Sequence, residues 1–299
     1  MGNSIFEISD LVCAYDHNEQ PVFLIKDLTI PQNAITTILG KSGSGKSTLI
    51  ETLGLMNRTI KSGKISFFPD GNNIAFDRNT WDNPRYLAEI RKKNFSFIFQ
   101  EDYLMPNYTP KENMMISYLI QSPKQNDNIK LILEWLLKSL GLDTDDLLNR
   151  KPSEMAGGQK QRLSFIRALL KKFTVLFGDE PTGNLDEGNS IILLNLLKEF
   201  LKSDKLVQMH DRSAILVSHN IGLSVDYSDK IIVLTEIRKE RNNAPSGVKC
   251  IKKEEYEVLP ENILEKKGPA LWTDYFGKEY SDDSLNKYIK TLFKEASDE

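Results

Sequence analysis

A glycine-rich run that follows an apolar segment has the clearest chemistry in the sequence. Residues 40–47 fit the pattern G-x-x-x-x-G-K-[ST], in which glycines let backbone N–H groups converge on phosphate oxygens. Lys46 can reach the β- and γ-phosphates, and the Ser47 hydroxyl can ligate Mg²⁺. The run therefore predicts a phosphate-binding loop at the start of a helix. The candidate nucleotide contacts are Gly40, Lys41, Ser42, Gly43, Ser44, Gly45, Lys46, Ser47 and Thr48.

Two adjacent acids form a second candidate group. Asp179 and Glu180 follow the apolar residues 175–178, and an open α/β sheet places ligands at the carboxyl ends of its strands. Adjacent carboxylates at such a place are unfavourable without a cation. We expect Asp179 to hold Mg²⁺, directly or through water, and Glu180 to orient or deprotonate an attacking water.

His219 ends the next apolar segment, residues 215–218, and is expected at the same edge of the sheet. A lone histidine is more often a structural hydrogen-bonding residue, but this position favours a role in the site. His17 and His210 lie in polar sequence and are expected to have no such role.

The elements that must position these residues alternate between strands and helices. Such alternation, with strands buried on both faces, predicts a parallel α/β sheet. Residues 109–148 have leucines and methionines at helical spacing and predict a helical insert. The predicted strands are 5–8, 22–30, 35–39, 64–68, 95–99, 173–177, 214–217 and 230–234; the predicted helices are 46–56, 158–172 and 189–202, with a loop over 72–83.

The composition excludes several classes of protein. The 299 residues carry a net charge of −3, which argues against a polybasic nucleic-acid binder. No apolar run is long enough to cross a membrane, and the first residues predict neither an export signal nor a lipid anchor. Cys13 and Cys250 are too few for a disulfide framework and favour a reducing, cytoplasmic setting.

Two further runs add a family resemblance. Residues 155–162 and 178–186 strongly resemble the signature, Walker B and D-loop segments of ABC-type ATPases. Gln100 matches the family's Q-loop glutamine, and His219 matches its switch histidine. The resemblance covers about residues 5–235 and is closest to the subgroup that serves lipoprotein release, macrolide export and cell division. It implies an α/β fold with a RecA-like P-loop NTPase core, an antiparallel β subdomain and a helical subdomain at about 85–165.

The resemblance also implies a composite site. Two such domains stack head to tail, so the signature residues of one subunit would contact the ATP bound by the phosphate loop of the other. Tyr15 would stack on adenine, and Asp186 would carry contacts between the two sites. The implied signature residues are Ala156, Gly157, Gly158 and Gln159; the implied catalytic residues are Gln100, Glu180 and His219; the implied Mg²⁺ ligands are Ser47, Gln100 and Asp179.

The chain departs from the family pattern in three places. Ala156 stands where serine is usual, and Asn33-Ala34 replaces the usual Gly-Glu turn. Residues 236–299, after an ATPase domain of residues 1–235, have no counterpart in the compact subgroup, and their role is unknown. Their aromatic segment, residues 272–280, could pack on the core or meet a partner.

The function expected from these observations is ATP hydrolysis that powers a transporter. Its partners would be separate membrane-spanning permease subunits, docked near residues 100–115 at the cytoplasmic face of the membrane, and a second copy or paralogue. The alternative is a soluble or membrane-docked regulatory ATPase that acts on a non-transport partner. A DNA clamp would need a long coiled coil between the motifs, and a tandem translation factor would need a second phosphate loop. No nucleic acid is expected as a partner.

Overall fold

One twelve-stranded sheet organises the computed structural model, which describes residues 4–16, 21–121, 127–142, 145–202, 212–236 and 256–294. The strands are β1 (Ser4–Cys13), β2 (Phe23–Pro31), β3 (Ile35–Gly40), β4 (Ile60–Phe67), β5 (Ile74–Phe76), β6 (Phe95–Ile98), β7 (Val175–Asp179), β8 (Ser213–Val217), β9 (Lys230–Glu236), β10 (Tyr256–Gly268), β11 (Leu271–Thr273) and β12 (Glu279–Ser281). The α-helices are α1 (Lys46–Leu53), α2 (Pro84–Asn94), α3 (Pro110–Gln121), α4 (Asp127–Ser139), α5 (Asp145–Asn149), α6 (Gly157–Leu170), α7 (Glu187–Lys202), α8 (Ile221–Tyr227) and α9 (Asp282–Lys294).

The sheet has a parallel part and an antiparallel part. The strand order is β5-β4-β1-β2-β10-β9-β3-β8-β7-β6, with β11 and β12 extending from β10. Strands β9, β3, β8, β7 and β6 pair in parallel, whereas β2, β1, β4 and β5 pair antiparallel. The predicted parallel core and antiparallel strands are both confirmed.

The parallel part places its functional loops at one edge. Every residue of β3 is buried, as expected for a strand with helices on both faces. The phosphate loop follows β3, the two acids end or follow β7, and His219 follows β8. Because these strands run in the same direction, their carboxyl ends deliver all three groups to the same side of the molecule.

The predicted helical insert is present as α3, α4 and α5. Their apolar residues pack with those of α6 in one buried cluster that includes Met114, Leu136 and Leu163. The cluster joins the insert to the helix that begins at the signature glycines, so the insert and α6 form one packed unit.

The chain beyond residue 235 continues the core sheet. The predicted boundary falls inside β9, and β10 lies between β9 and β2, where Val258 pairs with Leu234 on one side and with Ile25 on the other. Part of the aromatic segment packs on the core, which is one of the two placements that the sequence left open. Trp272 and Tyr280 are buried against α9 and α8, whereas residues 275–276 are about 70% exposed. Two charged runs of this extension, residues 238–241 and 252–255, lie outside the described residues. So do Cys250, His17 and His210.

The expected loop over residues 72–83 was wrong in part. Ile74–Phe76 form β5, which pairs with β4 and buries Phe76, and a 3₁₀ turn follows at Arg78–Asp82. Only three residues alternate between buried and exposed positions there, and the polar sequence around them hides the pattern. None of the helices in the described ranges combines the length and apolarity needed to cross a membrane.

Candidate nucleotide-binding site

The phosphate loop depends on glycine at two positions with left-handed backbone. Gly43 has φ 82° and Gly45 has φ 89°, conformations that residues with a Cβ rarely adopt. A Cβ on Gly45 would also lie 2.7 Å from Val22 Cγ1. The backbone can therefore take this shape and stay close to β2 only with glycine at residue 45.

Lys46 lies inside the loop and close to both acids. It is 6% exposed, and its Nζ donates to the carbonyl oxygens of Gly40 at 3.0 Å and Lys41 at 2.7 Å. Burial lowers the pKa of Lys46, while the negative charges of Glu180 and Asp179 partly oppose that shift. The structure thus brings together the lysine and the two carboxylates that the sequence predicted as neighbours.

Glu180 and His219 are in direct contact. His219 Nε2 lies 2.7 Å from Glu180 Oε1, and the backbone N–H of Glu180 donates to Val217 O at 3.1 Å. Both side chains line a cleft of about 430 Å³ together with Gly183. The expectation that His219 reaches the same edge of the sheet is confirmed by this distance.

Tyr15 lies beside the phosphate loop. Its hydroxyl is 2.9 Å from Thr48 Oγ1, and the residue is 43% exposed. The ring is therefore anchored at its polar end and still accessible, which suits stacking on a planar base.

Gln100 and Asp186 each have a partner in the same chain. Gln100 follows β6 and is exposed. Its backbone carbonyl oxygen accepts a hydrogen bond from Asn184 Nδ2 at 3.3 Å. Asp186 Oδ1 accepts from the backbone N–H of Asn189 at 2.9 Å, at the start of α7. Hydrogen bonds from Asn189 lower the pKa of Asp186. The described contacts of Asp186 are thus those of a helix cap.

The signature residues lie at the exposed start of α6. Ala156 occupies the N-cap position, and its N–H donates to Gln159 Oε1 at 3.0 Å. A Cβ on Gly157 would meet nothing within 4 Å, whereas one on Gly158 would lie 3.4 Å from Leu185. Among the described residues, no hydrogen bond joins residues 156–159 to the phosphate loop. One chain does not bring these two motifs together.

The site fits a phosphate and a hard cation. Ser44 Oγ is buried within the loop and lacks a hydrogen-bond partner in the described part of the chain, so it is available to an anion. No group of three or more His, Cys, Asp or Glu in the described residues could hold a metal alone. Oxygen donors from Ser47, Gln100 and Asp179, supplemented by phosphate, match the usual Mg²⁺ ligand set.

Four residues that shape this region have no role predicted from the sequence. Gln161 and Arg162 stand inside the signature run, and that position was the available signal. Gln161 is buried and donates to Pro181 O at 2.8 Å. Asn113 and Arg167 bind the backbone after Gln100, and nothing in their sequence context marks them.

One edge of the parallel sheet carries a phosphate-binding loop, two acidic residues at the end of a strand, and a histidine. This combination defines a P-loop nucleoside triphosphatase. The family described as ABC transporter matches residues 25–183, more than half of the chain. The chain belongs to this family and is an ATP-binding ATPase. The fold implied by the sequence resemblance is confirmed.

Relatives and solved structures agree with this assignment. The lipoprotein-releasing system ATP-binding protein LolD of Zymomonas mobilis is 32% identical over 238 residues, which cover 79% of this chain and 95% of LolD. The macrolide export ATP-binding/permease protein MacB of a Shewanella species is 35% identical over 238 residues, and the chain spans only 34% of MacB. The dimeric ATP-binding cassette MJ0796, in a post-hydrolysis state with ADP and Pi, matches 76% of this chain and 93% of its own, with a TM-score of 0.61 and 23% identity. That last likeness shows the fold.

Proposed function

We propose that this ATPase works as a dimer at the cytoplasmic face of a membrane and drives separate membrane-spanning permease subunits. The observation that carries the proposal is an exposed apolar surface on residues 102–109, directly after Gln100. Tyr103 is 61% exposed, Met105 is 40% exposed and Tyr108 is 44% exposed. Exposed apolar side chains grouped in this way are typical of a protein interaction site.

The backbone that displays this surface is fixed from the inside. Arg167 on α6 donates from Nη1 to Tyr103 O at 2.7 Å and from Nη2 to Asp102 O at 2.9 Å. Asn113 on α3 is fully buried, accepts from Met105 N at 2.7 Å and donates to Met105 O at 3.1 Å. A partner that binds here would meet a pre-organised surface and would be connected through Arg167 to the signature helix.

We assign the chemistry to residues at the sheet edge. Lys46 and the backbone of the loop bind the phosphates, and Glu180 orients water and accepts its proton. His219, in contact with Glu180, restricts the orientation of that carboxylate. Ser47, Gln100 and Asp179 would hold Mg²⁺, which supplies charge neutralisation to the phosphates when bound.

The exposed start of α6 supports the dimer. Gly157 and Gly158 offer backbone N–H groups at a helix N-terminus, a place that favours anions. Since this motif does not reach the phosphate loop of its own chain, we infer that it completes the ATP site of a second copy or a paralogue.

Co-purification from membranes tests the proposal. A tagged wild-type chain should retain a protein with membrane-spanning helices, and that protein should change its ATPase rate. The double variant Tyr103→Asp/Met105→Asp should lose this partner and keep ATP binding. The matched control is Leu131→Asp, which alters an apolar side chain that is 65% exposed on a different element, α4. If the double variant keeps the partner as well as the control does, the docking surface is wrong; if the partner lacks membrane spans, the transport role is wrong.

A further inference from the structure

Gln161 connects the signature helix to the turn that carries the catalytic glutamate. It lies on α6 and is 3% exposed. Its Nε2 donates to Pro181 O at 2.8 Å and lies 3.5 Å from Glu180 O. Its Oε1 is buried and has no hydrogen-bond partner among the described residues. The amide donor thus holds the side chain in the interior, bound to the backbone carbonyl of Pro181, the residue that follows Glu180.

The turn at Glu180 requires such support. Glu180 has φ 49°, a left-handed conformation that is unfavourable for a residue with a long side chain. Its N–H donates to Val217 O at 3.1 Å, and its carbonyl oxygen accepts from Gly183 N at 3.0 Å. Gln161 adds a hydrogen bond from a different element, the helix α6. Hydrogen bonds to β8, within the turn itself and from α6 together fix the backbone that orients the Glu180 carboxylate.

We propose that Gln161 is a positioning residue, which holds the Glu180 carboxylate in its productive orientation from the signature helix. Because α6 begins at Gly157, the same helix presents the signature residues to the second subunit. In the dimer, which rests on the function proposed above, the helix that serves one ATP site therefore also fixes the catalytic carboxylate of the other. Gln161 would link the two sites within one subunit.

The chain offers a control for a hydrogen bond from a glutamine side chain to the main chain, at a half-buried position. Gln121 at the end of α3 donates from Nε2 to Lys172 O at 3.0 Å and accepts from Lys172 N at 2.7 Å. This glutamine therefore also binds main chain near α6, but at the end of the helix remote from the signature. Replacement by methionine removes the amide and keeps the length of the side chain at both positions.

Steady-state kinetics provide the first test. Gln161→Met should lower kcat roughly two- to tenfold, the loss expected for one neutral hydrogen bond, and leave KM and ATP affinity unchanged. Gln121→Met should keep kcat near the wild-type value. Equal kcat values for the two variants would refute the positioning role, and so would a change in KM alone for Gln161→Met.

Mixed dimers show on which site Gln161 acts. In each mixed dimer one subunit carries Glu180→Gln, so only the other subunit has an active Glu180 carboxylate. Adding Gln161→Met to the subunit with the working Glu180 should lower turnover as in the homodimer. Adding it to the subunit with Glu180→Gln should cause no further loss. The reverse result would mean that Gln161 supports only the signature contact, and the proposal would be wrong.

Separate measurements test the proposed dimer and the role of Gln161. ATP-dependent dimerisation of the Glu180→Gln chain, which cannot hydrolyse its ATP, tests the proposed assembly by size without any change at Gln161. If this chain stays monomeric with ATP, the link between two sites is wrong, and the kcat comparison still judges the positioning role. If it dimerises and Gln161→Met turns over at the wild-type rate, the inference about Gln161 alone is overturned.

Discussion

Serine at residue 156 should strengthen both the signature helix and its contact with ATP. Ala156 is the N-cap of α6, with φ −66° and ψ 150°, and it offers no side-chain hydrogen bond to the helix. This extended backbone is the one that a capping serine uses. A serine Oγ could accept from the N–H of Gly158 and donate its proton to a phosphate of the second subunit, because a hydroxyl can do both at once.

Helix capping and the hydrogen bond to phosphate differ in size, and only the hydrogen bond to phosphate requires ATP. A serine cap in place of alanine stabilises a helix by about 0.5–2 kcal/mol, and about 1 kcal/mol raises Tm by roughly 2–4 °C in a domain of about 200 residues. A hydrogen bond to a charged phosphate contributes about 1.5–3 kcal/mol, which is roughly a ten- to hundredfold change in an equilibrium constant. Ala156→Ser should therefore raise Tm without nucleotide and tighten ATP-dependent dimerisation or raise turnover.

Ala156→Asp is the control that separates the two effects. Aspartate caps a helix about as well as serine, so it should raise Tm similarly. It has no proton to donate, and its charge repels the phosphate, so dimerisation should become weaker than in the wild type. Thermal unfolding without ATP and sedimentation over a range of ATP and protein concentrations measure the two quantities.

Two results would refute a contact between a serine at residue 156 and the phosphate of the second subunit. If the serine and aspartate variants tighten dimerisation equally, the effect comes from helix capping and not from a phosphate contact. If serine changes neither Tm, dimerisation nor turnover, the missing hydroxyl is already replaced in this protein.

Four other changes test the rest of the site and the core. Lys46→Ala should abolish measurable binding of labelled ATP, because it removes the buried cation of the loop; near-native affinity would contradict the loop assignment. Glu180→Gln should keep ATP binding, lose turnover and accumulate an ATP-bound dimer, visible by size; turnover at the wild-type rate would place the base elsewhere. Specific ATPase activity should rise with protein concentration, and a flat profile down to the monomer would refute the composite site. Burial and the nearby Arg91 charge lower the pKa of Lys171 from 10.5 to about 8, so the folded protein releases this proton first. Since the unfolded state then binds more protons, the free energy of unfolding should rise between pH 8 and 10, relative to Lys171→Met, and an unchanged difference would contradict it.

The motifs could be predicted from the sequence because they are local. The loop at residues 40–47 and the acids after β7 each combine residue types and spacing within one short segment, and the direction of parallel strands then brings them together. The position of His219 at the same edge of the sheet followed from that same rule, and the structure adds its contact with Glu180. Asn33 also has a local explanation: it has φ 56°, and asparagine tolerates this left-handed position better than most residues other than glycine.

The features that escaped prediction depend on distant contacts. Val258 of β10 pairs with Ile25 of β2, which is far away along the chain. The residues of β10 alone do not indicate which strands of the sheet will be its neighbours. Gln161 and Arg167 are polar residues on a helix whose partners are main-chain carbonyls of other elements. Only the packing of α6 against those turns shows what they do.

The place of β10 between β2 and β9 sets an order for folding during synthesis. Residues of β2 leave the ribosome early, but their neighbour in the sheet is made some 230 residues later, so this edge stays open through most of translation. An unpaired edge is a site for wrong pairing with other chains. The phosphate loop, whose Gly45 packs close to β2, therefore rests on a strand that gains its second neighbour only at that late stage. Nascent chains should therefore acquire nucleotide binding only near the end of synthesis.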